Sequence, residues 1–466
     1  MEVRPSASSI DSELARHHRR RVRLSDLLEG LAWFSMVVVV ALYIADGRLS
    51  DVSSLQEVIV GLGIVAGLIG SNAVMIMLLL VARIPVLNTT LGTDRTLTAH
   101  RWLGKPALYL LLAHAALLII GYGLALGRDP ITEFGRMWTQ VAYLPLAIVA
   151  LGLLTVVVIV SLAIVRRRLR YESWFVVHLL TYAAVLLALP HQFLQGGLFA
   201  EGTAERWYWL TAWALTLGAI AVFRVALPVV RNARHRLRVT AVAHEGPGVV
   251  SITMSGRMLE KLQVRGGQYF LWRFDAPGLR WEGHPYSLSA APDGHSLRIT
   301  TRDLGNGSRR LLSLKVGTRV YFEGPYGLFT TVVRTGKDAV LIGAGIGITP
   351  IRSVVESMLA SARKVTVILR ANEASQLYLR QEFTALKASG GIDVLELIGP
   401  PPARDAPPTW LPSEPGRSGS LATLVPQLRD ADVYVCGPAP WARLVIRDAR
   451  AAGVPRSQIH TERFTW

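Results

Sequence analysis

The chain has 466 residues, 51% of them hydrophobic, with a mean hydropathy of +0.35 and a formal net charge of +17. That hydropathy excludes a mainly disordered chain and is high for a purely soluble one, while the length allows about three domains. A single cysteine, Cys436, excludes an internal disulfide framework, an all-cysteine iron–sulfur centre and a four-cysteine zinc site.

Six long apolar runs fill the first half, near 28–45, 57–82, 102–126, 141–165, 174–195 and 207–230. Each is long enough to cross a hydrocarbon core of about 30 Å at about 1.5 Å per residue. The first run follows the basic stretch Arg19-Arg20-Arg21-Val22-Arg23 without a small-x-small cleavage site, so it reads as an anchored span and not a removable leader. Residues 1–27, 83–101, 166–173 and 231–238 carry 17 arginines, whereas the loops on the opposite side carry four, Arg48, Arg128, Arg136 and Arg206. The positive-inside bias therefore predicts a multi-pass protein of the cell membrane with both termini cytoplasmic. A pI near 10.4 would otherwise invite a nucleic-acid partner, but basic residues that flank spans report orientation, and none is expected.

From about residue 236 short alternating segments appear, Leu237–Val242, Val249–Met254, Ser296–Thr301 and Arg319–Phe322, which predict a small antiparallel β-barrel. From about 336 the texture becomes strand, Gly turn, helix, with candidate strands Ala339–Ile342, Val365–Leu369, Asp393–Leu397 and Asp432–Cys436. That pattern predicts a parallel α/β domain. The expected organisation is a basic cytoplasmic tail at 1–27, a six-helix transmembrane bundle at 28–232, an antiparallel β-barrel domain at 236–334 and an α/β parallel-sheet domain at 335–466.

Four of the eleven histidines lie in the third and fifth spans, which run in the same direction: His100 and His114, then His178 and His191. Spacings of 14 and 13 residues separate them by about 21 and about 20 Å along each axis. Histidines at matched depths on two parallel helices can ligate two stacked haems; bundle hydrogen bonds and proton relays are the alternative uses of intramembrane histidine. On an ideal helix the 13-residue spacing leaves His178 and His191 about 140° out of phase, and Pro190 is the expected source of a correcting distortion.

With His100-Arg101-Trp102-Leu103-Gly104 and Tyr171-Glu172-Ser173-Trp174 beside these histidines, the chain resembles the bacterial branch of the ferric reductase and NADPH oxidase superfamily. The resemblance implies two b haems, one held by His100 and His178 on the cytoplasmic side and one by His114 and His191 on the outer side, with Arg101 near a propionate. It also implies a ferredoxin-NADP reductase-type module that binds FAD and NADPH or NADH. His284-Pro285-Tyr286-Ser287-Leu288-Ser289 resembles the flavin signature of that module, with Tyr286 covering the flavin and Ser287 at the nitrogen that accepts hydride; soluble relatives carry Arg where His284 stands. Gly267-Gln268-Tyr269-Phe270 resembles the strand leading to the flavin. Gly305-Asn306-Gly307-Ser308 resembles the pyrophosphate turn, with Arg302 a candidate phosphate contact.

Gly343-Ala344-Gly345-Ile346-Gly347-Ile348-Thr349-Pro350 follows a hydrophobic strand and resembles the family's pyridine-nucleotide loop, Thr349 reading as a helix cap before Pro350. Val435-Cys436-Gly437-Pro438 resembles its second nucleotide contact, placing Cys436 near the nicotinamide. Of the C-terminal aromatics, Phe464 or Trp466 is implied to cover the flavin, and Arg370, just after a strand, to meet the 2′-phosphate of NADPH. The expected protein is a transmembrane NAD(P)H-dependent reductase whose partners are the bilayer, a pyridine nucleotide and a small extracytoplasmic acceptor. Short outer loops at 46–56, 127–140 and 196–206 favour an open haem edge and a broad acceptor such as a ferric chelate or quinone, of which the ferric chelate is the expected one. Superoxide formation from oxygen, or delivery to a quinone or partner protein, would use the same conduit.

Overall fold

The computed structural model describes residues 7–47, 53–169, 171–194, 197–359, 362–403, 407–413 and 419–462. They fall into two compact units, one from Leu24 to Val225 and one comprising the chain from Ala226 onward together with the stretch before Leu24.

Among the described residues, six helices are long and apolar enough to cross a membrane: His18–Ala45, Leu55–Val81, Thr93–Ala125, Leu144–Ser161, Glu172–Leu194 and Ala204–His235. The first lies in α1 (Ala7–Ala45), so the basic segment expected as a tail is helical from Ala7 and continuous with the span. The second is α2 (Leu55–Val81), started by a capping box in which Ser54 and Glu57 satisfy each other's backbone N–H. After the short α3 (Pro85–Thr90) comes α4 (Thr93–Ala125), which begins well before the expected 102 and so takes in His100.

The outer segment expected as a loop at 127–140 is instead largely a helix, α5 (Pro130–Gln140). Asp129 caps it and Pro130 opens it. Glu133 is fully buried beneath Arg128 and Arg136, and the Arg136 guanidinium beside it holds its carboxyl below the usual carboxylate range. The bundle continues with α6 (Leu144–Ser161), α7 (Ala163–Arg166), α8 (Tyr171–Leu194), α9 (Ala204–Ala219), a π-helical turn at Ile220–Ala226 and α10 (Leu227–His235). Large apolar side chains such as Val37, Leu62, Val176 and Leu215 stand uncovered, a surface suited to hydrocarbon and not to water.

Packing within the bundle follows small residues. Gly63, Gly67 and Gly70 line one face of α2, and a methyl group added to them would meet Leu117, His114 and Leu111 of α4 at 3.1, 2.5 and 3.0 Å. The missing side chains are what let α4 approach so closely, the small-xxx-small device of membrane helices. Correspondingly, α4 packs chiefly on α2 and α8 on α6, so the two histidine-bearing helices share little backbone contact with each other.

Beyond α10 the chain forms two three-stranded antiparallel sheets. One has β1 (Arg238–Gly246), β2 (Val249–Ser255) and β5 (Ser296–Arg302) in that order; the other has β4 (His284–Ser287), β3 (Tyr269–Phe274) and β6 (Val320–Tyr326). Single bridges Arg238↔Arg319 and Leu288↔Ile299 join the two sheets at both edges and close a six-stranded barrel. Its interior is filled by the inward members of each alternating strand, among them Val239, Ile252, Phe270, Trp272, Ile299 and Phe322. The helix α11 (Asn306–Leu311) plugs one end through Leu311.

The last domain is a five-stranded parallel sheet in the order β11-β10-β7-β8-β9, from β7 (Asp338–Ala344), β8 (Val365–Ala371), β9 (Asp393–Ile398), β10 (Ala431–Cys436) and β11 (Ile459–Glu462). Its two faces bury separate apolar clusters beneath α12 (Ile348–Met358), α13 (Arg380–Ala388), α14 (Leu421–Leu424) and α15 (Ala439–Ala451). The chain winds outward from β7 through β8 to β9, then returns to lay β10 on the other side of β7. The switch point, where the strand order reverses, therefore lies at the carboxyl ends of β7 and β10.

Candidate functional site

Two pairs of histidines face each other within the bundle. His100 of α4 and His178 of α8 have ring centres 6.1 Å apart, and His114 and His191 have theirs 6.4 Å apart. The helix α8 runs continuously through Pro190 and brings His191 to its partner.

The surroundings orient the rings. His100 Nδ1 lies 3.2 Å from the Met77 carbonyl and His114 Nδ1 lies 2.9 Å from the Gly63 carbonyl. A carbonyl only accepts, so Nδ1 carries the proton in both and Nε2 keeps its lone pair. Around His178, the Ser161 hydroxyl gives its proton to the Val157 carbonyl at 2.7 Å, accepts from Trp174 Nε1 at 3.2 Å and faces His178 Nδ1 at 3.5 Å. Trp174 stacks on the His178 ring, and the Arg166 guanidinium lies over the Trp174 ring, 4.6 Å from its centre. Beside His191, Gln192 accepts from the indoles of Trp209 and Trp213.

This donor set suits haem. Two metal–imidazole bonds of about 2.0 Å, each prolonged by about 1 Å to the ring centre, span about 6 Å, the separation found in both pairs. Among the described residues no three His, Cys, Asp or Glu cluster as metal ligands, so each pair offers a metal two protein donors. A macrocycle brings the remaining four itself.

The flavin motif lies on β4. His284 and Tyr286 share one face of the strand with rings 6.4 Å apart and nearly parallel, and Ser287 falls on the alternate face. Tyr286 shares a hydrogen bond with Thr301, while burial pushes its phenol up. Burial drives the His284 imidazole below its usual range, which favours the uncharged ring. Its Nε2 and the Ser287 hydroxyl are buried without a hydrogen-bond partner among the described residues, as expected of groups awaiting a polar ligand.

Gly307 lets the turn Gly305–Ser308 approach this strand, since a methyl group there would lie 2.8 Å from the His284 ring. Two other expected contacts serve their own turns. The Gln268 side chain accepts from the Arg265 N–H, and the Ser308 hydroxyl accepts from the Leu304 N–H and donates to the Gly305 carbonyl. Tyr269 is buried against Tyr326, and Arg302 stands exposed at the end of β5.

At the switch point of the parallel sheet, Gly343 is in register with Cys436. The turn Gly345–Gly347 follows, and a methyl group on Gly347 would lie 2.4 Å from the Cys436 carbonyl. The two nucleotide motifs, Gly343–Gly347 and Cys436-Gly437-Pro438, thus meet backbone to backbone. Gly345 adopts a left-handed conformation with φ of 54°. Cys436 is fully buried, and burial, followed by the charge of Glu462, pushes its thiol well above the usual range.

Three expectations need correction or fall elsewhere. Thr349 is not a helix cap: α12 starts at Ile348, and the Thr349 hydroxyl donates to the Ile346 carbonyl at 2.9 Å instead of accepting a backbone N–H. Pro350 lies inside the first turn of α12. Arg370 does not follow a strand but lies within β8, buried, its guanidinium donating to the carbonyls of Ala371 and Pro400. Those carbonyls make burial of the cation tolerable and take up donors of both terminal nitrogens that were expected to meet a phosphate. Phe464 and Trp466 lie outside the described residues.

The glycines of α2 escaped the sequence reading. Gly67 and Gly63 set the position and the hydrogen bond of His114, and the spacing Gly63-x-x-x-Gly67 was the signal that could have found them.

Residues 66–189 match the family described as ferric reductase like transmembrane component, and residues 341–446 match the oxidoreductase NAD-binding domain. The flavohemoprotein of Xylella fastidiosa (strain Temecula1) is 29% identical over 209 residues, 43% of this chain and 51% of that protein. The ferredoxin reductase component of 3-ketosteroid-9-alpha-monooxygenase from Mycobacterium tuberculosis (strain ATCC 25618 / H37Rv) is 31% identical over 211 residues, 44% and 56% respectively. The chain thus spans about half the length of these curated relatives. Among solved structures, the FAD/NAD binding domain of nitric oxide dioxygenase from Vibrio cholerae O1 biovar El Tor aligns at a TM-score of 0.41 and 28% identity. That alignment covers 49% of this chain and 98% of that one.

Proposed function

We propose that this multi-pass membrane protein, which joins a ferric reductase-like transmembrane component to an oxidoreductase NAD-binding domain, is a transmembrane NAD(P)H-dependent reductase. The observation that carries the reading is the two facing imidazole pairs on one pair of helices, His100 with His178 and His114 with His191. Bound FAD would supply the conversion of a two-electron hydride donor into single electrons, and bound haem at each pair the one-electron relay across the bilayer.

This chain's own residues supply the positions. The Met77 and Gly63 carbonyls fix the protonated nitrogens of His100 and His114, leaving Nε2 of each as the ligand atom. Tyr286 and Ser287 would hold the flavin ring. His284, the turn from Gly305 through Gly307 and Ser308, and exposed Arg302 would form the phosphate side of that site. Gly343, Gly345 and Gly347 would let the nucleotide approach backbone N–H groups, with Cys436, Gly437 and Pro438 closing the nicotinamide side. With Arg370 committed to carbonyls, the reading covers NADH and NADPH equally.

The surplus of arginines flanking one side of the spans supports cytoplasmic termini and a cell-membrane location, with electrons leaving outward. A ferric chelate is the proposed acceptor, supported by the family matched over residues 66–189. The test is anaerobic addition of NADH or NADPH to the purified full chain loaded with FAD and haem. Reduced b-type bands should appear and reoxidise on adding ferric citrate. Absence of any haem band overturns the reading, and reoxidation by oxygen alone transfers it to superoxide production.

A further inference from the structure

Where α10 runs into β1, sequence alternation and tight local packing build a basic cleft that none of the nucleotide motifs uses. In Arg236-Leu237-Arg238-Val239-Thr240, Leu237 and Val239 are buried in the barrel, so Arg236, Arg238 and Thr240 point outward. The bridge Arg238↔Arg319 sets a third arginine beside them.

Arg257 is brought in by the end of β2. A methyl group on Gly256 would lie 2.3 Å from the His235 carbonyl, so only glycine lets the end of α10 rest there. The Arg257 N–H then donates to that carbonyl at 2.7 Å, and the His235 ring lies within hydrogen-bond distance of the Arg257 carbonyl at 2.9 Å. The result is a cleft of about 690 Å³ lined by Arg236, Arg238, Arg257 and Arg319 with the hydroxyl-bearing Thr240 and Ser255.

Like charges so close repel unless an anion joins them. Yet none of the four guanidiniums pairs with a carboxylate among the described residues. Arg236 and Arg238 touch only the carbonyls of Ala233 and Gly317, and Arg319 lies over the Tyr321 ring. Forked guanidinium donors match the oxygens of a phosphate, with Ser255 beside them, whereas the Thr240 hydroxyl donates to the Thr253 carbonyl at 3.2 Å. The lining begins in the chain at Ala233, in the polar end of α10 that follows the sixth apolar run at 207–230, so this arginine set begins just past a membrane span. Basic clusters at that position meet lipid headgroups at effectively high concentration.

We propose that this cleft binds the phosphate of an anionic phospholipid headgroup. The site is separate from the proposed electron path and does not depend on which acceptor or nucleotide is used.

The test is lipid retention by the purified full chain. Protein equilibrated in mixed micelles of phosphatidylcholine and phosphatidylglycerol is repurified, and bound lipid is counted by mass spectrometry. Phosphatidylglycerol should be retained selectively, and retention should fall about fivefold for Arg238→Gln or Arg319→Gln alone and about 25-fold for the pair. Arg443→Gln, an exposed arginine on α15, should change nothing. Melting in phosphatidylcholine alone should match the unsubstituted protein for every variant. Retention by the unsubstituted protein should also weaken as salt rises, a measurement that requires no variant. Equal retention of both lipids, retention indifferent to salt, or full retention by the double variant overturns the proposal. Binding of inorganic pyrophosphate to the cleft of the unsubstituted protein, lost in the double variant, without selective retention of phosphatidylglycerol would identify a soluble phosphate as the ligand and overturn it as well.

Discussion

At the scale of single residues, burial decides chemistry that sequence position cannot. Cys436 stands in a motif that resembles a nicotinamide contact, but its thiol is fully enclosed and kept protonated by that enclosure and by Glu462. Thiolate is the reactive form, so iodoacetamide should leave Cys436 unmodified in the folded protein at mildly alkaline pH and alkylate it readily once denaturant is added. Rapid labelling of the folded chain would contradict the burial.

His284 makes a second case. Burial favours its neutral form, so its folded pKa lies below the ordinary 6.5. Between the two values the unfolded chain binds more protons, and stability therefore falls as pH drops below about 6.5. The melting temperature of the detergent-solubilised protein should fall between about pH 7.5 and about pH 5.5, and His284→Gln should flatten that fall whatever it does to the absolute value. Arg370 shows the same rule in reverse. Its place in the sequence suggested a phosphate contact, and only the burial of β8 reveals that both terminal nitrogens donate to carbonyls.

At the scale of elements, glycines govern which surfaces meet. The α2–α4 contact rests on Gly63, Gly67 and Gly70, and Gly67 lies directly against the His114 ring. Gly67→Ala should push that ring off the Gly63 carbonyl, costing about 1–3 kcal/mol of packing. One of two haem signals should then shift in potential or be lost while the His100 pair keeps its own, as a potentiometric titration would resolve. Gly347→Ala should act likewise in the soluble half. Its methyl group would press on the Cys436 carbonyl, so the expected result is a raised KM for NADH or NADPH with haem content unchanged.

The element boundaries were legible where periodicity was strong: the six apolar runs, the alternating strands and the strand–turn–helix of the last domain. They were not legible in the segment 127–140. Asp129 and Pro130 were both start signals for α5, but a short polar stretch between spans has no hydrophobic period to disclose a helix that buries Glu133.

At the scale of the whole molecule, the proposed electron path requires two redox centres in series. His114→Leu should leave one haem per chain and abolish transfer to ferric citrate, while NAD(P)H still reduces the remaining centre. Equal haem content in His114→Leu and the unsubstituted protein, measured by pyridine haemochrome, would remove His114 from the ligand set.

The sequence by itself determined the spans, their charge asymmetry, the order of the motifs and the depth of four histidines. All of these are properties of residues near one another in the chain, whose period and spacing are fixed by backbone geometry. Tertiary structure alone decided that His191 meets His114 across an unbroken α8. It also decided that two glycine loops touch at the carboxyl ends of β7 and β10, and that four arginines from α10's end, β1, β2 and the approach to β6 share one cleft. Those are meetings of residues distant in the chain. The opening charge of +17 therefore divides in meaning: much of it reports orientation in a membrane, and part of it converges on a site that only the closing of the barrel creates.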